Sequence, residues 1–188
     1  GIIPTIREVY NNQFELSVDH KLFLFLKKIY KKSEFKILND KKVYKIDLLC
    51  ISGGNDTNDK SKKSNMRREL DVFHYNNAKK KKIPILGICH GAQFIAKKEN
   101  CVVVFKKQRI KPHNVFSDRI KSLNIKVNSY HNLVIKKLSN KCELLAYDKN
   151  NYIECFKVKN YKILGMIWHP ERYKNFKKVD LDLIKSFL

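Results

Sequence analysis

The chain has 188 residues, a length that suits one α/β domain spanning 1–188 with a sizeable core. No apolar run approaches the ~20 residues that cross a bilayer; the run 22–26 ends at once in Lys27 and Lys28. The formal net charge of +22 would ordinarily suggest a nucleic-acid or anionic-membrane partner.

Composition argues against that suggestion. Only six of the 40 basic residues are Arg and 18 positions are Asn, a skew that AT-rich coding produces without selection for charge. The Lys residues scatter along the chain, and the run 79–82 has no interleaved aromatic residues to serve as a stacking platform. Solvated surface is therefore expected, with no nucleic acid and no membrane as partner; steering of a phosphorylated substrate stays open. Five cysteines (50, 89, 101, 142 and 155) are odd in number and lack C-x-x-C spacing. Neither a disulfide framework nor a zinc site is indicated, so no metal and no cofactor is expected, and the compartment reads as reducing and cytoplasmic. No secretory leader pattern is present.

In chain order, Ile2 and Ile3 read as the end of a strand running into Pro4. Residues 17–30 carry Leu22, Phe23, Leu26 and Ile29 at helical spacing. Residues 43–52 read as a buried strand closed by Gly53-Gly54, and 53–65 as a polar, mobile loop. A helix over 64–82 places Leu70, Phe73 and Asn77 on one face. A second buried strand covers 83–88, and a helix over 91–98 follows a very short turn. Short strands are expected at 101–105, 124–128, 133–136, 143–147, 152–158 and 163–168, then a last helix over 179–188. Strands alternating with helices, followed by several short strands, predict an α/β three-layer sandwich with a mostly parallel central sheet and a β-rich edge.

The strongest local signal is Gly87-Ile88-Cys89-His90-Gly91, between an apolar strand and a helix. A nucleophile at the tip of such an elbow needs small neighbours, and the helix N-terminus supplies free amides that favour a thiolate and an oxyanion. The bland alternative is a buried, inert thiol. A base is offered by Trp168-His169-Pro170-Glu171. Positions two apart in extended chain face one way, so Glu171 can orient His169, and Pro170 forbids a helix there. His-x-Glu is weak alone and strong beside the elbow. His20, His74 and His113 read as surface or packing residues.

Together, Ser52-Gly53-Gly54, the elbow with Ala92 and Gln93, Asn128-Ser129-Tyr130-His131 and Trp168-His169-Pro170-Glu171 resemble the motif set of class I glutamine amidotransferases, in the right order. The resemblance implies that family's flavodoxin-like sandwich and hydrolysis of γ-glutamyl amides through a thioester. It gives Cys89 as nucleophile, His169 as acid/base and Glu171 as its partner. It gives the N–H groups of Gly54 and His90 as oxyanion donors. Gly53, Gln93, Ser129, Tyr130 and His131 match substrate-contacting positions.

His90 departs from the family's usual residues. A Cys-His-Gly elbow also occurs in a related family of the same fold, where the neighbouring His can serve the Cys. With no synthase domain, the chain resembles the stand-alone γ-glutamyl hydrolase branch, to which Arg7 and the 67–71 segment are also similar. That branch implies a small-molecule substrate. Its small bacterial members release glutamate from a γ-glutamyl cytidine diphosphoramidate for capsule decoration, and this nucleotide-linked substrate is ranked first by resemblance alone. Arg7 and Arg67, with Arg68, are then expected near the pocket mouth. The alternatives kept are an ammonia-supplying subunit of a partner synthase, another γ-glutamyl-amine hydrolase, and an anion-binding module.

Overall fold

The computed structural model describes residues 1–106 and 110–188. Its strands and helices run, in chain order, β1 (Ile2–Ile3), β2 (Thr5–Tyr10), β3 (Gln13–Ser17), α1 (His20–Ile29), β4 (Leu49–Ile51), α2 (Lys62–Lys80), β5 (Ile85–Ile88) and α3 (His90–Lys98). There follow β6 (Val102–Phe105), β7 (His113–Phe116), β8 (Ile125–Val127), β9 (Leu133–Lys137), β10 (Cys142–Asp148), β11 (Ile153–Val158), β12 (Ile163–Met166) and α4 (Lys178–Phe187). Among the described residues no helix is long and apolar enough to cross a membrane.

The main sheet has the order β1-β4-β5-β12-β11-β10-β7-β8, with β6 and β9 joined to it through β11. The first four strands pair in parallel, and β11, β10, β7 and β8 extend the sheet antiparallel. Along the parallel strands the side chains alternate between two cores. Ile3, Leu49, Ile51 and Ile85 pack with Leu70, Tyr75, Ala92 and Ile95 of α2 and α3. Ile2, Cys50, Leu86, Ile88, Leu164 and Met166 pack with Leu22, Phe25, Leu26 and Leu183 of α1 and α4. Period-two alternation thus sends each strand's residues to opposite helical layers, giving the three-layer α/β sandwich. Each fully buried aliphatic side chain contributes roughly 1.5–3 kcal/mol.

Several boundaries differ from expectation for local reasons. α1 starts at His20 because Asp19 caps it, accepting from the Lys21 N–H at 2.9 Å, and Ser17 belongs to a strand. The 43–52 run enters the sheet only at Leu49–Ile51, while Val43 is exposed. Helix α2 is capped by Ser61, and its buried face is Ser64, Arg67, Leu70, Asp71, His74, Tyr75 and Ala78; Phe73 and Asn77 are only half-buried. The hairpin β2–β3 was unforeseen, as was β7. The 53–65 segment, expected to be mobile, is tied down. Asn55 pairs with Ile6, Lys97 donates to the Thr57 and Asn58 oxygens, and Arg68 donates to the Asp59 carbonyl.

Candidate active site

Strand β5 delivers Cys89 into an elbow with φ 49° and ψ −100°, a left-handed conformation that costs of order 1–3 kcal/mol for a non-glycine residue. The surroundings enforce it. The Cys89 N–H donates to the Met166 carbonyl at 2.8 Å, and the Gln93 N–H reaches the Cys89 carbonyl at 3.0 Å. Gly91 lies so near β4 that a Cβ there would sit 2.1 Å from the Ile51 carbonyl oxygen. The first amides of α3, His90 included, have no intrahelical acceptor.

His169 follows β12 and is buried beside this elbow. Its Nδ1 is 2.6 Å from Glu171 Oε1, while Pro170 opens a short 3-10 turn that carries Glu171 back under the ring. Burial alone would lower the His169 pKa, but the Cys89 sulfur and then Glu171 raise it to about 9. The imidazole is therefore held between the Cys89 sulfur and the Glu171 carboxylate, the order expected from the motif. Asn128, part of the quoted motif but given no role there, clamps the backbone here. It accepts from the His169 N–H at 2.8 Å and donates to the His169 carbonyl at 2.8 Å. Its place directly before Ser129 was the available signal.

The glycine loop closes over the ring: a Cβ on Gly53 would lie 2.4 Å from His169 Cε1. Gly54 has φ +136°, a region open to glycine, and Thr5 of β2 occupies the space a side chain would need. On the far side, Gln93 and His131 both reach the Leu133 carbonyl, at 3.1 and 2.7 Å. Ser129 is buried, and Tyr130 is half exposed with its ring edge-on to His169 at 5.4 Å. Arg172, also missed, lies over Tyr130 at 4.8 Å and 3.9 Å from Glu171.

The arginines divide. Arg7 is exposed on β2, in register with Glu15 of β3. Arg67 does not reach a pocket mouth, contrary to expectation. It is 0% exposed, and its guanidinium donates to Asp71 at 2.8 Å, the Pro4 carbonyl at 2.6 Å and the Ser52 carbonyl at 2.9 Å. A buried cation needs such acceptors, and the i, i+4 Asp71 supplies the charge. Burial would raise the Asp71 pKa, but Arg67 and then His90 pull it below its ordinary value. Arg68 donates to Asn65 and Asp59 beside a cavity of about 190 Å³.

His90 Nε2 stands 2.6 Å from Asp71 Oδ2, and its Nδ1 bonds the Asn55 carbonyl. Both nitrogens are thus taken by groups other than Cys89, so the ring does not serve the neighbouring thiol. His74 packs by bonding the Asp40 carbonyl at 2.8 Å. Away from the elbow, His113, Asp148 and Glu154 lie close enough to share an ion. They sit on the antiparallel strands, where His113 Nε2 is 3.2 Å from Glu154 Oε1.

An elbow cysteine, a carboxylate-backed histidine and a glycine loop on one α/β sandwich define a class. The chain belongs to the class I glutamine amidotransferase family, whose model matches residues 11–181. Among curated proteins it is similar to the gamma-glutamyl-CDP-amidate hydrolase of Campylobacter jejuni, 34% identical over 139 residues that cover 72% of this chain and 68% of the relative. The chain is accordingly a cysteine-dependent amidohydrolase of the glutamine-amidotransferase type. Among solved structures, a GMP synthase component from Thermoplasma acidophilum superposes with TM-score 0.71 at 20% identity, covering 99% of this chain and 89% of that one. A Thermotoga maritima glutamine amidotransferase gives TM-score 0.64 at 19% identity, covering 80% of this chain and 70% of its own. At those identities the likeness speaks for the fold.

Proposed function

We propose that the chain, acting as one domain, hydrolyses a γ-glutamyl amide through a Cys89 thioester, and that its substrate is nucleotide-linked glutamine of the γ-glutamyl-CDP-amidate kind. The observation that carries the chemistry is the alignment of Cys89, His169 and Glu171, with His169 keeping its proton to about pH 9. The sulfur attacks the δ-carbonyl and the C–N bond breaks as His169 protonates the departing amine. His169 then takes a proton from water, whose oxygen attacks the thioester and releases glutamate. The Gly54 and His90 amides receive the oxyanion, while Gly53, Gln93, Ser129, Tyr130 and His131 surround the glutamyl head group. Arg7 is the exposed guanidinium proposed to meet a diphosphate leaving group. The substrate reading rests on the activity for which the Campylobacter relative is named.

The test is kcat/KM of the purified chain, without a partner, for nucleotide-linked glutamine and for free glutamine at fixed ionic strength. The ratio should favour the linked substrate by at least tenfold, because binding energy of the remote group lowers the barrier. Cys89→Ala should lose several orders of magnitude, and a diazo-ketone glutamine analogue should label Cys89. Labelling of Cys50, Cys101, Cys142 or Cys155 instead would remove the nucleophile assignment. Activity only with an added synthase would return the chain to the ammonia-supplying class.

A further inference from the structure

Behind the elbow runs a buried polar chain that the bond-breaking steps do not use. Arg67 fixes Asp71, and Asp71 Oδ2 holds His90 Nε2 at 2.6 Å. The other ring nitrogen bonds the Asn55 carbonyl. That carbonyl only accepts, so the ring nitrogen facing it presents its hydrogen, and the other nitrogen bonds the Asp71 carboxyl. The Asn55 side chain is gripped separately by β2: the Ile6 N–H donates to Oδ1 at 3.1 Å, and Nδ2 donates to the Ile6 carbonyl at 2.8 Å. Asn55 therefore joins the first residue of the elbow helix to the hairpin, and it is the residue directly after Gly54. The peptide that carries the Gly54 N–H is held at its own carbonyl, where the Thr5 hydroxyl donates to the Gly53 oxygen at 2.8 Å. Asn55 fixes the far end of the glycine pair, whose backbone is otherwise permissive.

We propose, resting on the amidase reading above, that His90 is a positioning residue. Oriented by Asp71, it pins the Asn55 carbonyl and so, with Thr5 holding the Gly53 carbonyl at 2.8 Å, keeps the Gly54 N–H aimed at the oxyanion that forms on the Cys89 adduct. A donor lowers the barrier only if it is aimed before charge develops. The same hydrogen bond locks the glycine loop to α3, the helix whose first amide is the second donor.

The test uses the full chain with His90→Leu, His90→Gln and His90→Arg, with kcat and KM expressed per Cys89 titrated by the glutamine-analogue electrophile. His90→Leu should lower kcat per titrated site about a hundredfold while KM stays within about threefold, the signature of an interaction made in the transition state. His90→Gln, with one donor direction, should fall about tenfold. Arg is donor-only and can serve both acceptors, and the adjoining cavity of about 190 Å³, lined by Asp71, His90 and Phe94, gives it room. His90→Arg should therefore recover to within about tenfold of the parent. A residue that merely supports folding would reduce the titratable fraction and leave kcat per site unchanged, and that result overturns the proposal. Should His90→Leu not fold, parental kcat per site in His90→Gln overturns it equally. If the unaltered chain cleaves no γ-glutamyl amide, the amidase reading fails and takes this one with it. An active parent with indifferent His90 variants sinks this one alone.

Discussion

The two faces of the parallel sheet are covered in different ways. On one, α1 and α4 dock through an apolar stripe, with Phe25 edge-on to Phe176 at 5.3 Å. On the other, α2 brings Arg67, Asp71 and His74 to its buried face, so charge lies where a helix of this kind would normally place Leu or Ile. The apolar face secures the fold wherever its side chains fit. The charged face secures particular backbone atoms: the carbonyls of Pro4, Ser52 and Asn55, around the glycine loop. Both sides of the sheet thus bury an apolar core, and the α2 side alone adds aim at the glycine loop.

Substitutions on the two faces should separate these contributions. Arg67→Ala leaves the buried Asp71 with His90 as its remaining partner, which costs up to about 3–5 kcal/mol. It should also lower kcat per folded molecule, because the loop carbonyls lose their donor. Phe25→Ala, a cavity on the apolar face, should cost about 3–5 kcal/mol as well. It should leave kcat/KM per folded molecule within about twofold. Denaturant unfolding beside active-site titration reads both, and equal kinetic damage from the two would erase the distinction.

Asp180 provides a smaller test, since it is an ionisable group placed on the apolar face. It accepts from Trp168 Nε1 at 3.0 Å, and burial raises its pKa to about 6. A folded-state value above the unfolded one means that its favourable contribution is complete at acid pH and is lost as pH rises through about 6. Asp180→Asn keeps an acceptor for Trp168 without the charge. It should stabilise the protein by up to about 3 kcal/mol at pH 8 and by nearly nothing below pH 4. A gain independent of pH would contradict the assignment.

The smallest effect is a shift in pH profile. His169 is raised from 6.5 to about 9, so its stabilising contribution is complete below pH 6.5 and fades as pH rises through 9. If the imidazolium protonates the leaving amine, kcat/KM should fall about tenfold per pH unit above about 9. Glu171→Gln removes part of the cause, so that limb should move to lower pH and the loss at neutral pH should stay below that of His169→Ala. An unmoved limb would detach Glu171 from the histidine.

How far the sequence foretold these regions follows from what each region is made of. Strands 85–88 and 163–166 and the elbow between strand and helix were legible because apolar runs and paired glycines have few other uses. The buried face of α2 was not, because its residues satisfy one another: Arg67 and Asp71 look like surface until their pairing is seen. The hairpin was hidden because only Ile6 of β2 is buried, so no alternation marks it. The one available clue was Asn11-Asn12, where Asn12 takes φ 61°, as tight hairpin turns require. Asn128 illustrates another limit. Its role is to hold a backbone 41 residues away, so the motif shows its position while the partner it clamps is visible only in the fold.

One further consequence concerns the order of events as the chain is made. The strained Cys89 is held by the Met166 carbonyl, and β5 is paired on one side by β12, which also leads directly into His169. An emerging polypeptide that already displays residues 85–98 therefore has the thiol but neither the acceptor that fixes its conformation nor the imidazole that works with it. Nucleophile and base come into being as one event, when the strand at 163–166 inserts beside 85–88. Pairing over such a separation carries a large loop-closure cost, so partly made chains hold the cysteine without its assembled partners.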